Sequence, residues 1–237
     1  VVQVGQASYY VTIFAALEKG FFKQEGLDVS IVNMSTSNAT QALVSGSVPI
    51  GITTTDSGAI AFSKGGDIRY IASYVTRAPY DLMAQAKYTR VEDLKGQAIA
   101  IDSLKSGTGV LMGRFLAARG FKNTDYTLVQ SGTNTDRLAA LQKGAVVAAP
   151  LVDPANFIAG DQGFNNLGSL GKEPWDFDSW WVNGKWAKAN KEVVVRFLKA
   201  IIKGQDWVDD PKNKDEAIDL VAKNLKVDRK YAEKGYN

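Results

Sequence analysis

Residues 42–48 read Ala42-Leu43-Val44-Ser45-Gly46-Ser47-Val48, and a similar pattern returns 98 residues later as Ala140-Leu141-Gln142-Lys143-Gly144-Ala145-Val146. Each copy has an apolar pair typical of a helix, then a glycine, then an apolar residue typical of a strand. Glycine ends helices because it adopts left-handed backbone angles without a steric penalty. A looser copy pairs Gly20-Phe21 with Gly120-Phe121. The offset predicts two similarly built lobes, although helix-glycine-strand punctuation also recurs by chance in α/β proteins.

Strands and helices alternate on both sides of this repeat. The first pass predicts strands at Val1–Val4, Leu27–Val32, Val48–Ile52 and Ile68–Tyr74, with helices at Val11–Lys19, Asn38–Ser45 and Asp56–Lys64. The second pass predicts strands at Tyr80–Gln85, Gln97–Ile101, Tyr126–Val129 and Val146–Ala149, with helices at Gly107–Arg119, Thr135–Lys143 and from Pro154. A strand at Phe177–Val182 and helices at Lys191–Lys203 and Lys214–Asn224 follow. Such alternation indicates βαβ units and mostly parallel sheets.

We therefore predict an α/β protein with two lobes, each a mostly parallel sheet flanked by helices. Lobe 1 comprises residues 1–78 and the C-terminal helices of residues 187–237, and lobe 2 comprises residues 79–186. The chain would cross between the lobes near Arg77–Tyr80 and again near Val182–Trp186. A ligand cleft would lie between the lobes, and the terminal helices could brace both.

Composition excludes several functions. The chain has 28 basic and 25 acidic residues and no cluster of basic ones, so nucleic acid is not an expected partner. It has no His and no Cys, which excludes Ser-His-Asp and Cys-His nucleophiles, thiol redox chemistry and the usual zinc sites. No stretch approaches the roughly 18 apolar residues of a membrane span. The chain begins on a strand-like segment, and we expect that a leader has been removed.

The predicted strands end in loops rich in small hydroxyl and amide residues. In open α/β sheets ligands bind beyond these strand ends, and backbone N–H groups at helix starts favour anions. The candidate ligand-binding residues are Gln6, Ser8, Tyr9, Tyr10, Thr36, Asn38, Thr54, Thr55, Asp56, Ser103, Ser106, Gly107, Thr108, Thr133, Asn134 and Asp153. For any one hydroxyl or amide, helix capping without a ligand is the alternative. Trp180 and Trp181 would point to opposite faces of a strand, so at most one could face the cleft.

A family resemblance adds to this pattern. Residues 15–29, Ala-Ala-Leu-Glu-Lys-Gly-Phe-Phe-Lys-Gln-Glu-Gly-Leu-Asp-Val, resemble an N-terminal signature of the nitrate/sulfonate/taurine and thiamin-precursor branch of ABC solute-binding proteins. Residues 93–100, Asp-Leu-Lys-Gly-Gln-Ala-Ile-Ala, are similar to its second-lobe signature, and Asp153-Pro154 stands where many members have an acidic residue and a proline. Pro49 and Val147 replace an aspartate common in the family, and Val152 replaces a larger pocket residue.

The resemblance implies a two-lobed periplasmic-binding-protein fold of type II. It also implies an extracytoplasmic component of an ABC importer that binds a small organic anion, a sulfonate or carboxylate, by hinge closure. The partners would be a permease and its ATPase, the protein would be a monomer, and it would be periplasmic or lipid-anchored outside the cytoplasmic membrane. Neither a cofactor nor a metal is expected.

Three alternatives stay open at this point. One is that the ligand is a neutral heterocycle of the thiamin-precursor type. It would be covered by Tyr9, Tyr10 or one of the two tryptophans, and Asn38, Asp56 or Asp153 would form hydrogen bonds with its ring nitrogens. The same clamp could serve as a sensor domain. Enzymes related to the family include a pyrimidine-precursor synthase, but their sites rely on His or Cys, which this chain lacks.

Overall fold

A computed structural model describes residues 2–104, 107–172 and 176–236. Its strands are β1 (Val2–Val4), β2 (Ile31–Asn33), β3 (Ile50–Thr54), β4 (Ile68–Val75), β5 (Asp81–Ala84), β6 (Ala98–Ile101), β7 (Thr127–Gln130), β8 (Ala148–Leu151), β9 (Asn165–Ser169) and β10 (Asp178–Asn183). Its helices are α1 (Val11–Glu18), α2 (Phe21–Gln24), α3 (Thr36–Ser45), α4 (Thr55–Ser63), α5 (Gly107–Ala117), α6 (Asn134–Gln142), α7 (Ala155–Asp161), α8 (Gly184–Ala189), α9 (Lys191–Asp209), α10 (Lys214–Leu225) and α11 (Arg229–Tyr236).

Within the described residues the strands form two five-stranded sheets of the same topology. The first has the order β2-β1-β3-β10-β4 and the second β7-β6-β8-β5-β9. In each sheet four strands run one way, and the fourth in order, β10 or β5, is antiparallel to both neighbours. The predicted α/β fold with two similarly built lobes is therefore confirmed.

The repeated glycines explain why one pattern builds both lobes. Gly46 and Gly144 follow α3 and α6 with φ of 78° and 71°, and Gly20 and Gly120 also have positive φ, 73° and 81°. A residue with a Cβ atom rarely adopts these angles. Each glycine therefore ends its helix and turns the chain toward the next element.

The two buried tryptophans of β10 lie on opposite faces of the first sheet, as the strand period predicts. Trp180 packs on Phe197 of α9, with 5.0 Å between ring centroids. Trp181 packs with Leu43 and Ile68 on the other face. Both tryptophans belong to the core, so neither covers a ligand in the cleft.

The chain passes between the sheets twice, and the described ends of the second segment lie beside the first. Residues 76–80 lead from β4 to β5, and residues 170–177 lead from β9 back to β10. Their backbones are joined where Phe177 N donates to Val75 O at 2.7 Å and Leu170 N donates to Tyr80 O at 2.8 Å. Paired connections of this kind are suited to a hinge.

The second crossing differs from the sequence prediction near Val182–Trp186. Strand β10 pairs with both β3 and β4, so Asp178–Asn183 belong to the first sheet and not to the second lobe. The apolar run of this strand fits either core, and only its tertiary pairing decides between them. The predicted limit of lobe 2 at residue 186 therefore moves back to the start of β10, while the limit at residue 78 stays a prediction.

Several elements were not predicted. They are strand β9 and the short helices α2, α8 and α11, and the strand predicted at Leu27–Val32 begins only at Ile31. Helix α11 contacts the second lobe, where Lys230 and Lys234 place Nζ 3.2 and 3.3 Å from the Asp161 carboxylate. Among the described helices none combines the length and apolar character needed to span a bilayer.

Candidate functional site

A cavity of about 70 Å³ lies between the two sheets, beyond the carboxyl ends of their parallel strands. The residues that follow β1, β2, β6, β7 and β8 reach it from both lobes. This is where open α/β sheets hold ligands. The predicted residues that line it are Gln6, Tyr9, Tyr10, Thr36, Thr133 and Asn134. Six of the nineteen residues that line the cavity are thus among the candidates, and their part in ligand binding stays a prediction.

The remaining predicted residues do not line this cavity. They are Ser8, Asn38, Thr54, Thr55, Asp56, Ser103, Gly107, Thr108 and Asp153, while Ser106 lies outside the described residues. Ser8 lines a separate cavity of about 460 Å³ behind Tyr9. Asp153 lies near Ser8 and Gly235, and burial raises its carboxyl pKa to about 6. Their part in ligand binding stays a prediction.

Several of the hydroxyl and amide residues serve as helix caps or as bridges. The side chains of Ser35, Thr54 and Thr133 accept from backbone N–H groups at the starts of α3, α4 and α6, at 3.4, 3.3 and 3.3 Å. Thr55 bonds through its hydroxyl to Ser179, and Thr108 accepts from Asp102 N at 3.0 Å. Capping, the alternative to ligand binding, thus accounts for Thr54 and contributes to the role of Thr133.

The two lobes touch across the cleft. Ser37 Oγ lies 2.9 Å from Ser103 Oγ, and Thr135 donates to Gln6 Oε1 at 3.0 Å. Each contact joins a residue in the first turn of a helix, Ser37 of α3 or Thr135 of α6, to a loop residue of the other lobe. They leave only a small cavity inside, so the structure has the geometry of a closed clamp.

A buried carboxylate, Asp178, forms one wall of the cavity. It is 5% exposed and begins strand β10. Tyr9 Oη donates to Asp178 Oδ2 at 3.0 Å, and Tyr10 Oη donates to the same oxygen at 3.4 Å. No donor of the described chain reaches Oδ1, so that oxygen can accept from a ligand.

Burial controls the protonation of this cluster. It raises the pKa of the Asp178 carboxyl to about 6, and the two tyrosine hydroxyls oppose the rise. It also raises the pKa of Tyr9 and Tyr10, with the charge of Asp178 adding to the effect. At pH 7 the carboxyl is therefore mainly ionised while both tyrosines stay protonated and can donate.

A buried guanidinium lies on the second-lobe side of the cavity. Arg137, on α6, is 2% exposed. Its Nε donates to Pro150 O at 3.0 Å and its Nη1 donates to Gly132 O at 2.8 Å. Its Cζ lies 5.6 Å from the ring centroid of Tyr80, a cation–π distance. Burial raises the Tyr80 pKa to about 12, and the guanidinium opposes that rise.

Sequence reasoning missed the charged residues of the cavity. Besides Asp178 and Arg137, the wall includes Asp102, Tyr80 and Val152. Val152 was noted for its size, but an arginine in an amphipathic helix and an aspartate at a strand start are ordinary surface residues by pattern. The signal available was that Asp178 lies within a mainly apolar predicted strand, between Phe177 and Trp180.

The charges that line the cavity restrict its chemistry. Its described wall carries two carboxylates, Asp102 and Asp178, and one guanidinium, Arg137. Across the described chain no group of three His, Cys, Asp or Glu side chains has the geometry to hold a metal ion. The site thus offers ring hydroxyls, acceptors and one fixed cation to a small molecule.

Comparisons with known proteins agree with this architecture. The sequence profile described as NMT1/THI5 like matches residues 7–214. The alkanesulfonate-binding protein SsuA from Xanthomonas axonopodis pv. citri, bound to MOPS, superposes with a TM-score of 0.87, covering 99% of this chain and 82% of that one, at 18% identity. At that identity the likeness shows the fold alone.

Two relatives are similar in sequence. The 4-amino-5-hydroxymethyl-2-methylpyrimidine phosphate synthase THI11 of Saccharomyces cerevisiae is 29% identical over 84% of this chain and 63% of its own. The formylaminopyrimidine-binding protein of Halalkalibacterium halodurans is 24% identical over 90% of this chain and 66% of its own. The chain thus spans about two thirds of the length of these relatives.

Proposed function

Since the chain belongs to the NMT1/THI5-like family, we propose that it is the solute-binding component of an ABC importer, a clamp that captures one small molecule and releases it unchanged. The observation that carries this proposal is a cavity walled by both lobes and closed by hydrogen bonds between them. Parting of the lobes would widen the way into such a cavity. Hinge motion of this kind is a known device of periplasmic binding proteins.

The ligand we infer is a small planar nitrogen heterocycle of the aminopyrimidine class. Asp178 offers a carboxylate oxygen to a ring amino group, which is a charge-assisted hydrogen bond. Tyr9, Tyr10 and Tyr80 supply aromatic walls for a flat ring. Relatives named for a formylaminopyrimidine and for a pyrimidine phosphate support this ligand class.

A small anion is the second candidate, and Arg137 is the observation that favours it. An oxyanion could pair with this buried guanidinium. It would then share the cavity with Asp178, whose negative charge at pH 7 repels it. In a site of low dielectric the repulsion is weakly screened. We therefore rank the heterocycle above the sulfonate or carboxylate that the helix-start loops suggested.

An enzyme is the third candidate, because the yeast relatives are named as synthases. This chain has no His and no Cys, so proton transfer in the cavity would depend on carboxylates and tyrosines. The two tyrosines are held protonated by burial and already donate to Asp178. We propose binding without chemistry, in the periplasm or on a lipid anchor, with a permease and ATPase as partners and a monomeric protein.

A melting-temperature screen tests the ligand class. The panel would contain 4-amino-5-hydroxymethyl-2-methylpyrimidine, formylaminopyrimidine, an alkanesulfonate, a carboxylate and nitrate. A ligand at a hundredfold excess over its Kd stabilises the folded state by about 2.7 kcal/mol. We expect the pyrimidines to raise the melting temperature and the anions to be silent. If only anions raise the melting temperature, the heterocycle assignment is wrong, but the proposed solute-binding role is retained. Asp206→Asn, an exposed change on α9, is the control and should respond to each ligand as the parent does.

A further inference from the structure

Thr54 and Gly107 meet where the two lobes come together. Thr54 ends β3 in lobe 1, and Gly107 begins α5 in lobe 2. A Cβ atom built on Gly107 would lie 2.7 Å from Thr54 Cγ2 and 3.0 Å from Thr54 Cβ. Carbon atoms do not pack at 2.7 Å, so in this closed geometry only glycine fits at position 107.

Neither side of the contact can move aside easily. Thr54 is 4% exposed, and its hydroxyl donates to Ser57 Oγ at 2.8 Å while accepting from Ser57 N at 3.3 Å. On the other side, Thr108 Oγ1 accepts from Asp102 N at 3.0 Å and so ties the start of α5 to its own sheet. A rotation of the Thr54 side chain would break the cap of α4.

We propose that the Thr54–Gly107 contact is the stop that sets how far the lobes close, and thereby the size of molecule that the cavity accepts. This proposal rests on the clamp function proposed above. The two lobes supply opposite walls of the cavity, so the closest approach of the lobes limits the space between those walls. Position 107 therefore determines specificity without touching the ligand.

Crosslinking across the cleft measures closure without any ligand. Ser37 Oγ and Ser103 Oγ are 2.9 Å apart in the closed structure, and the chain has no other thiol source because it lacks Cys. In the double variant Ser37→Cys/Ser103→Cys, the rate of disulfide formation under mild oxidant reports the closed population. Adding Gly107→Ala should lower this rate about tenfold, within the range expected for overpacking by one methyl group.

A partial rescue separates a stop from a merely structural glycine. Thr54→Ser removes Cγ2 but keeps the hydroxyl that caps α4. In the Gly107→Ala background it should restore the crosslinking rate, because the closest clash, with Cγ2 at 2.7 Å, is removed. The rescue should be only partial, because the clash with Thr54 Cβ at 3.0 Å remains. Gly113→Ala is the matched control on the same helix, since its Cβ would meet only Tyr126 Oη at 3.9 Å.

Each outcome decides the proposal. Crosslinking of Gly107→Ala at the parental rate overturns it, and so does a failure of Thr54→Ser to restore any of the lost rate. If Gly107→Ala unfolds by circular dichroism, recovery of both the fold and the crosslinking in Gly107→Ala/Thr54→Ser supports the contact, and no recovery overturns it. Failure of pyrimidines to bind the parent would affect only the ligand assignment, because the crosslinking rate is measured without any ligand.

Discussion

Replacement of Asp178 by Asn should weaken ligand binding and stabilise the empty protein, two effects of opposite sign. The Asp178 pKa rises from 3.8 to about 6 on folding, because burial disfavours the ionised carboxyl. That rise corresponds to about 3 kcal/mol of unfavourable free energy in the folded state at pH 7. Asn removes the buried charge while keeping an oxygen that can accept from a tyrosine.

The pH dependence follows from the sign of this shift. Between pH 4 and 6 the folded protein binds more protons at Asp178 than the unfolded chain does, so the contribution of this group to stability falls as pH rises. Asp178→Asn should therefore raise the free energy of unfolding by about 1–3 kcal/mol at pH 7, and the gain should shrink as pH falls from 6 to 4. Urea unfolding of the parent and of Asp178→Asn without ligand, at pH 7 and at pH 4, measures this difference in stability.

Binding should change in the other direction. A hydrogen bond to a charged acceptor contributes about 1.5–3 kcal/mol, so calorimetry with 4-amino-5-hydroxymethyl-2-methylpyrimidine should show about 10- to 100-fold weaker affinity for Asp178→Asn. Asp206→Asn should change neither quantity. An Asp178→Asn variant that is less stable than the parent at pH 7, or that binds the pyrimidine equally well, would refute the reasoning.

Three further outcomes are expected. Pyrimidine binding to the parent should weaken several-fold as pH falls below about 6, where Asp178 becomes protonated, while a pH-independent calorimetric Kd would contradict the role of its carboxylate. Gly58→Ala should destabilise the fold by about 3 kcal/mol in urea, since its Cβ would lie 2.3 Å from the Trp181 ring; a loss under about 0.5 kcal/mol would show that the ring moves freely. Arg137→Lys should lower the free energy of unfolding by about 2 kcal/mol, because lysine lacks the forked donors that let arginine reach both backbone carbonyls. An unchanged urea unfolding midpoint would contradict this.

Local chemistry explains why much of the fold could be predicted. Gly46 and Gly144 require positive φ, and this requirement is visible in sequence as a glycine at the same point of each repeat. The loops that follow β1, β2 and β7 were also predictable, because strand ends of parallel sheets carry polar residues. The residues that follow these strands include Gln6, Thr36 and Thr133, which line the cavity wall.

The rest depends on contacts between distant parts of the chain. Asp178 becomes a site residue only because Tyr9, 169 residues away, donates to it. The assignment of β10 to the first sheet likewise depends on its pairing with β3 and β4. Thr54 and Gly107 were predicted as parts of an anion site, and the sequence did not indicate that the structure would bring them next to each other. Helix starts thus indicate donors but do not reveal what occupies the space between them.

The central claim is that the cavity captures a small molecule and does no chemistry on it. Equilibrium dialysis with 4-amino-5-hydroxymethyl-2-methylpyrimidine, followed by denaturation and mass spectrometry of the released molecule, tests this claim directly. We expect one molecule bound per chain and recovery of the same mass, even after prolonged incubation. Recovery of a new product mass, or no saturable binding of any member of the panel, would contradict it.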